Sequence, residues 1–114
     1  MDQPAHRHDH VLVIPRMHYP DLESLPDPVR NDLFAHVQKV AAVVRRKHGG
    51  CNILINDGKA AGQFVMHAHV HIIPRDKGDG IQIEKWRNVH ISNRTFQQVS
   101  DAYEKALREM ENKR

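Results

Sequence analysis

Met66-His67-Ala68-His69-Val70-His71-Ile72-Ile73-Pro74-Arg75 alternates imidazole and apolar side chains before it closes on proline. In an extended chain successive side chains point to opposite faces, so His67, His69 and His71 share one face while Ala68, Val70 and Ile72 share the other. Neighbouring imidazoles on that face would stand roughly 6 to 7 Å apart. The spacing predicts a strand over 64–74 with a core face and a histidine face. Imidazole is a poor filler for a β-strand, and such a row suggests chemistry rather than packing. On the residues alone, a solvated polar face and a metal site also stand, because neutral imidazole is a common zinc ligand. No acidic residue lies between Gly58 and Arg75, which counts against a catalytic zinc, and no metal ligand set is assigned. His6-Arg7-His8-Asp9-His10 is a second histidine cluster. Its His6 and His8 read as part of a flexible, solvated terminus, residues 1–8, open to adventitious metal.

Outward from this strand the chain alternates short apolar runs with turn signals. Val11-Leu12-Val13-Ile14, stopped by Pro15, reads as a buried strand with His10 at its start, and 16–25 is turn-like. Asp27-Pro28 offers an N-cap and a proline at the first helical position. Val29, Leu33, Phe34, Val37, Val40, Ala41 and Val44 then recur at helical spacing, which predicts a main helix over about 28–47. Arg45, Arg46, Lys47 and His48 complement its dipole, and Gly49-Gly50 is the expected left-handed cap. Residues 51–56 form a second strand with Cys51 as a small strand residue, and Asp57-Gly58 with Gly62 marks the loop after it. Asp76-Lys77-Gly78-Asp79-Gly80 is polar and glycine-rich enough to predict a mobile loop, and 81–91 is ambiguous. From Asn93, the residues Phe96, Val99, Tyr103, Ala106, Leu107 and Met110 make one apolar stripe, with Thr95 and Gln98 as a capping box. The expected architecture is a single α+β domain, 1–114, with an antiparallel sheet, one main helix and a C-terminal helix.

Composition narrows the function. Of 114 residues, 39% are hydrophobic, and no apolar run approaches the ~20 residues needed to cross a bilayer. The first residues carry no secretory or organellar pattern, and the lone Cys51 excludes an internal disulfide and a cysteine-based zinc site. A cytoplasmic protein is expected, with no membrane partner. A net charge of +3 favours anionic ligands but lacks the dense basic stripe of a nucleic-acid binder.

Residues 62–75, taken with His10-Val11-Leu12-Val13-Ile14-Pro15 and with Asn56-Asp57-Gly58 followed by Gly62-Gln63, resemble the histidine-triad superfamily. The superfamily's His-φ-His-φ-His-φ-φ pattern is met at every position, and the resemblance runs over 9–112, nearly the whole chain. It implies a nucleotide hydrolase or nucleotidyl transferase in which His69 attacks an α-phosphorus and carries the nucleotide covalently. By the same resemblance His67 and His71 flank the nucleophile, His10 supports them, and Asn56 and Gln63 match positions that contact phosphate. Phe64 departs from the small hydroxyl residue often found there. Arg75 is an expected substrate-binding cation, with Lys59 a second, and Trp86 is assigned to packing. The Pro74-Arg75 ending points towards the dinucleoside polyphosphate hydrolases, the fragile-histidine-triad-like branch, rather than the nucleoside phosphoramidases.

The resemblance further implies no cofactor for the histidine chemistry and leaves room for a divalent cation carried by a polyphosphate substrate. It implies a homodimer through the main helix and the strand near 52–56. The chain before the first strand is short for the superfamily, so fewer contacts to the base and poor base discrimination are expected. A nucleotide-binding regulatory module with little turnover is the alternative reading.

Overall fold

The computed structural model describes residues 9–83 and 90–112. The chain forms two compact units, Met1–Ile81 and Gln82–Arg114. The expected flexible terminus, His6, His8 and Trp86 lie outside the described residues.

In the first unit, β1 (Val11–Val13), α1 (Asp27–Lys47), β2 (Gly50–Leu54) and β3 (Val70–Arg75) build an antiparallel sheet of order β1-β3-β2 with α1 packed on it. Strand β3 takes the centre because its residues can be buried: Val70, Ile72, Ile73 and Pro74 are all inaccessible to solvent or nearly so. Pro74 is tolerated in a central strand because the β1 ladder covers only Val70 to Ile72, so from Ile73 onward β3 is flanked by β2 alone. The core joins Val13, Leu25, Val70 and Ile72 to Leu33, Val37 and Val44 of α1, with Val29 and Val40 beside them. Spacings of three and four along the helix put these valines and Leu33 on one stripe. Phe34, expected on that stripe, is exposed instead, one residue round the helix from Leu33.

Helix α1 differs from expectation at both ends. Pro26 occupies the N-cap position in extended conformation, and the Asp27 carboxylate pairs with Arg30 at 3.2 Å instead of capping the helix. At the other end no left-handed glycine appears. His48 is extended (φ −136°, ψ 167°), its N–H donates to the Val44 carbonyl at 2.9 Å, and Gly49 leads straight into β2. A left-handed cap would turn the chain away from that path.

The histidine strand is shorter than the predicted 64–74. The last rungs are Val13↔Val70 on one side and Leu54↔His71 on the other, so nothing extends the ladder to Phe64. Residues 65–67 bend instead, with the His67 N–H donating to Val65 O at 2.8 Å and the Ala68 N–H to Tyr19 O at 2.6 Å. The face alternation survives from Ala68 to Ile72: Ala68, Val70 and Ile72 are buried, and His69 and His71 are half-buried on the other face.

The predicted mobile loop at 76–80 is an ordered turn. Asp79, whose side chain is 8% exposed, accepts from Arg75 Nε (2.9 Å) and Nη2 (3.2 Å) and from the N–H groups of Asp76 (2.9 Å) and Ile81 (3.0 Å). The Arg75 guanidinium, then the two backbone donors, hold its carboxyl well below the usual carboxylate range. A carboxyl depressed in the folded state stabilises the fold fully above its unfolded value, 3.8, and loses that contribution as pH falls towards the folded value. Asp79→Asn should therefore lower the melting temperature by several degrees at pH 7 and flatten its fall between about pH 4 and about pH 2. Thermal melts across that range check this; parallel acid limbs for variant and wild type would remove Asp79 as the source.

In the second unit, α2 (Asn93–Asn112) starts from a Ser92 cap, with Thr95 N–H donating to Ser92 Oγ at 3.1 Å. The expected Thr95–Gln98 box is displaced by three residues, since Thr95 is itself the residue being capped. Phe96, Val99, Tyr103, Leu107 and Met110 lie exposed along one stripe.

Candidate active site

Three segments converge on the polar face of β3. His71 lies opposite Leu12 of β1 and Leu54 of β2, and His10, two residues before Leu12, falls on the same face. Its Nε2 reaches His71 Nδ1 at 2.9 Å, with ring centroids 5.1 Å apart. His69 packs edge-to-face on His71, centroids 4.9 Å apart. The structure thus assembles His10, His71 and His69 as one contiguous imidazole cluster.

His69 carries the most informative contact. Its Nδ1 lies 2.7 Å from the carbonyl oxygen of His67, which can only accept, so Nδ1 bears the proton. In the neutral ring the lone pair must then sit on Nε2. The backbone bend at 65–67 makes this bond possible, because it turns the His67 carbonyl towards the ring two residues on.

His67 leaves the row. Its Nε2 is 3.3 Å from Pro15 O and its Nδ1 is 3.1 Å from Nδ1 of His18, the rings 5.1 Å apart. Pro15 O accepts only, so His67 Nε2 donates, and in a neutral His67 ring Nδ1 accepts a hydrogen bond from His18 Nδ1–H. Sequence reasoning missed His18, which sits in a segment read only as turn-like, and nothing in Met17-His18-Tyr19-Pro20 marks it.

Gln63 is 2% exposed and its amide is consumed within the fold. Its Oε1 accepts from the Gly58 N–H at 2.8 Å, and its Nε2 donates to Pro20 O at 2.6 Å and Val65 O at 3.2 Å. It therefore latches the loop carrying His18 to the loop carrying His67, and is not directed at a phosphate. Gly58 (φ +95°) and Gly62 (φ +93°) bracket the turn that returns Gln63 to this position, a conformation that residues with a Cβ rarely adopt. Asp57 adds a third tie by accepting from the Leu22 N–H at 3.0 Å.

Asn56 lies two residues past β2 and is half-buried. The ladder between β2 and β3 ends at Leu54↔His71, so Asn56 sits in the loop just past the rung that carries His71. Arg75 is not brought to the cluster. It ends β3, six residues and roughly 20 Å along an extended chain from His69. Its guanidinium also bonds Asn52 Oδ1 (2.6 Å) and Ile81 O (2.7 Å), besides Asp79. Lys59 is exposed in the short turn Lys59–Ala61.

Among the described residues no three His, Cys, Asp or Glu side chains form a metal-ligand set, and no helix is long and apolar enough to cross a membrane. A cleft of about 480 Å³ opens at the end of β1, lined by Val13, Pro15, Met17, Val29, Leu33 and His36 among others. It meets the histidine site only through Pro15.

Against known proteins, the HIT domain profile matches residues 1–78. The chain is 40% identical over 74 residues to an adenylylsulfatase of Arabidopsis thaliana, covering 63% of this chain and 38% of that protein. It is 49% identical over 72 residues to an asymmetrical bis(5'-nucleosyl)-tetraphosphatase of Schizosaccharomyces pombe, covering 61% and 40%. The chain thus spans well under two thirds of the length of these relatives. Among solved structures, a HIT family protein of Bacillus anthracis superposes with a TM-score of 0.77 at 30% identity, covering 88% of this chain and 74% of that one. A histidine triad nucleotide-binding protein of Candida albicans superposes with a TM-score of 0.75 at 26% identity, covering 89% and 75%. The profile match takes in both strands that bear on the imidazole cluster and the helix and strand between them, so the chain that carries His10, His69 and His71 belongs to the HIT domain family.

Proposed function

We propose that the protein is a nucleotide hydrolase or nucleotidyl transferase that works through a covalent nucleotidyl-histidine on His69. The observation that carries this reading is the 2.7 Å bond from His69 Nδ1 to the His67 carbonyl, which reserves the Nε2 lone pair for attack. Nε2 forms a bond to the α-phosphorus as the bond to the leaving-group atom breaks, oxygen in a polyphosphate or adenylyl sulfate and nitrogen in a phosphoramidate, and the leaving group departs with that electron pair. Water or another acceptor then attacks the phosphoramidate, releases the nucleotide and restores the neutral ring. Splitting the displacement in two lowers each barrier, and because Nδ1 already bears its proton the imidazole leaves the phosphorus as a neutral ring.

His71, held by His10, stands against His69 where it can donate to phosphate oxygens, and Asn56 supplies a neutral amide from the neighbouring loop. Substrates of this kind are dinucleoside polyphosphates, nucleoside phosphoramidates or adenylyl sulfate, in line with the names of the similar proteins. No metal is needed for the histidine steps, although a divalent cation can accompany a polyphosphate chain. Incubation with an α-labelled adenine dinucleotide tests the reading: rapid quench should trap label on His69, and turnover without any trapped label would overturn it.

We further infer a homodimer through α1 and β2. Strand β2 is an outer strand of the sheet, and Ile53 on it and Val43 on α1 are both exposed. Covering such an edge with a second copy pairs its backbone groups and enlarges a small core. Light scattering at high micromolar concentration should give twice the chain mass, and a monomer there would exclude this interface.

A further inference from the structure

His48, at the junction of α1 and β2, lies between two carboxylates. Its Nε2 is 2.6 Å from Asp9 Oδ2 and its Nδ1 is 2.7 Å from Asp76 Oδ2. Asp9 is bonded in sequence to His10 of the imidazole cluster, and Asp76 follows the last residue of β3. We propose that the His48 imidazolium is a positioning residue for the histidine site: by tying Asp9 to the end of β3 it holds His10 against His71, and it releases that hold when it loses its proton.

The backbone alone gives β1 little purchase. Its ladder with β3 has three rungs, Val11↔Ile72 to Val13↔Val70. Two further residues along that register, Asp9 would face Pro74, which has no N–H to offer a rung. The connection at this level is made by side chains. The His48 side chain is 12% exposed and the residue's backbone N–H is fixed to Val44 O, so the ring is a firm post for the Asp9 carboxylate.

An ionised carboxylate only accepts hydrogen bonds, and a neutral imidazole has a single N–H. Both short contacts therefore require the doubly protonated ring. The hydrogen bond to Asp76, then that to Asp9, raise the His48 pKa from 6.5, outweighing the burial that would lower it. Arg45, Arg46 and Lys47 of α1's last turn precede it in sequence. Beyond Asp76 lie Arg75 and Asp79, which are bonded to each other.

With a folded pKa above the unfolded one, the clasp contributes fully below about 6.5 and is lost as pH rises through the raised value. The proton lost is the one facing Asp9, the more exposed of the two carboxylates at 49% against 41% for Asp76, which accepts from the Gly49 N–H at 3.0 Å. A neutral ring protonated on Nδ1 keeps Asp76 and turns its lone pair towards Asp9.

The role assigned to His10 and His71 rests on the function proposed above, so the test reads the rings directly in unliganded protein. Nitrogen-15 NMR of the full chain, titrated from pH 5 to 9, should show both His48 ring nitrogens protonated past pH 6.5. The His10 and His71 resonances should shift with the His48 midpoint. His48→Gln and Asp9→Asn should each remove that shared step, and His48→Arg, a cation that does not titrate, should preserve the low-pH positions of His10 and His71 up to pH 9. Where the wild type turns over a nucleotide, kcat in His48→Gln should fall on the order of tenfold with KM little changed, as expected when an interaction serving only the transition state is lost. A His48 midpoint at or below 6.5 overturns the proposal. So does a His10 and His71 titration in Asp9→Asn that superposes on wild type, and this milder variant decides the matter if His48→Gln does not fold. An inactive wild type with the coupled titration intact would sink the proposed reaction and leave the clasp standing.

Discussion

His69→Ala should abolish turnover and covalent labelling, with a rate loss on the order of 10⁴-fold or more, while the protein stays folded. The size follows from the tautomer. The His67 carbonyl fixes the proton on Nδ1, and His71, packed on the His69 ring, spends its own Nδ1 on the contact with His10. The His69 Nε2 lone pair is thereby pre-oriented at the centre of the cluster. Folding survives because the His69 ring is only half-buried and loses one hydrogen bond, a net contribution of about 1 kcal/mol. His69→Gly adds an independent control, since free imidazole diffusing into the vacated space should restore part of the turnover and carry the nucleotide away as a soluble phosphoramidate. Undiminished labelling of His69→Ala would move the nucleophile elsewhere.

What the sequence could tell about this site depended on how local the cause was. The alternation of Ala68, Val70 and Ile72 with His69 and His71 is a backbone property of an extended chain, so it was legible and it holds. The position of His10 was legible as well, because a strand ending at Pro15 must begin near it. The displacement of His67 was not. It depends on the Ala68 N–H meeting Tyr19 O and on the ring meeting His18 and Pro15, partners 49 to 52 positions distant in sequence, and no periodicity encodes such a contact. Arg75 and Asp79 failed for a related reason. Five polar and glycine residues look like a solvated loop, yet one carboxylate collecting four donors is enough to order them, and that leaves the Arg75 charge committed at the far end of β3. Resemblance supplied the identity of Gln63 but not its surroundings, and burial is what changes its meaning.

Gln63→Leu should cost about 2 to 5 kcal/mol of stability and most of the activity together. Leucine matches glutamine in size well enough to avoid a large cavity, so the loss comes from polar groups. The Gly58 N–H and the carbonyls of Pro20 and Val65 each lose a partner in part-buried bonds, and a donor or acceptor left unsatisfied there costs up to roughly 1 to 3 kcal/mol. The two loops it joins carry His18 and His67, and the bend at 65–67 presents the carbonyl that fixes the His69 tautomer. Loosening the latch should thus lower kcat by disordering the His69 tautomer, even in the fraction of molecules that remains folded. A glutamine serving only to contact phosphate predicts something else: nearly unchanged melting and a defect confined to kcat or KM. Gln63→Glu separates the two further. It keeps an acceptor for Gly58 but offers carboxylate oxygens to two carbonyls, so a latch should suffer at pH 7 and recover partly in acid, where a protonated glutamate regains one donor. Denaturant melts with amide exchange at Gly58 and Ala68 are the measurement. Unchanged stability and unchanged protection of both amides in Gln63→Leu would show that the residue faces substrate and that the loops are held by other means.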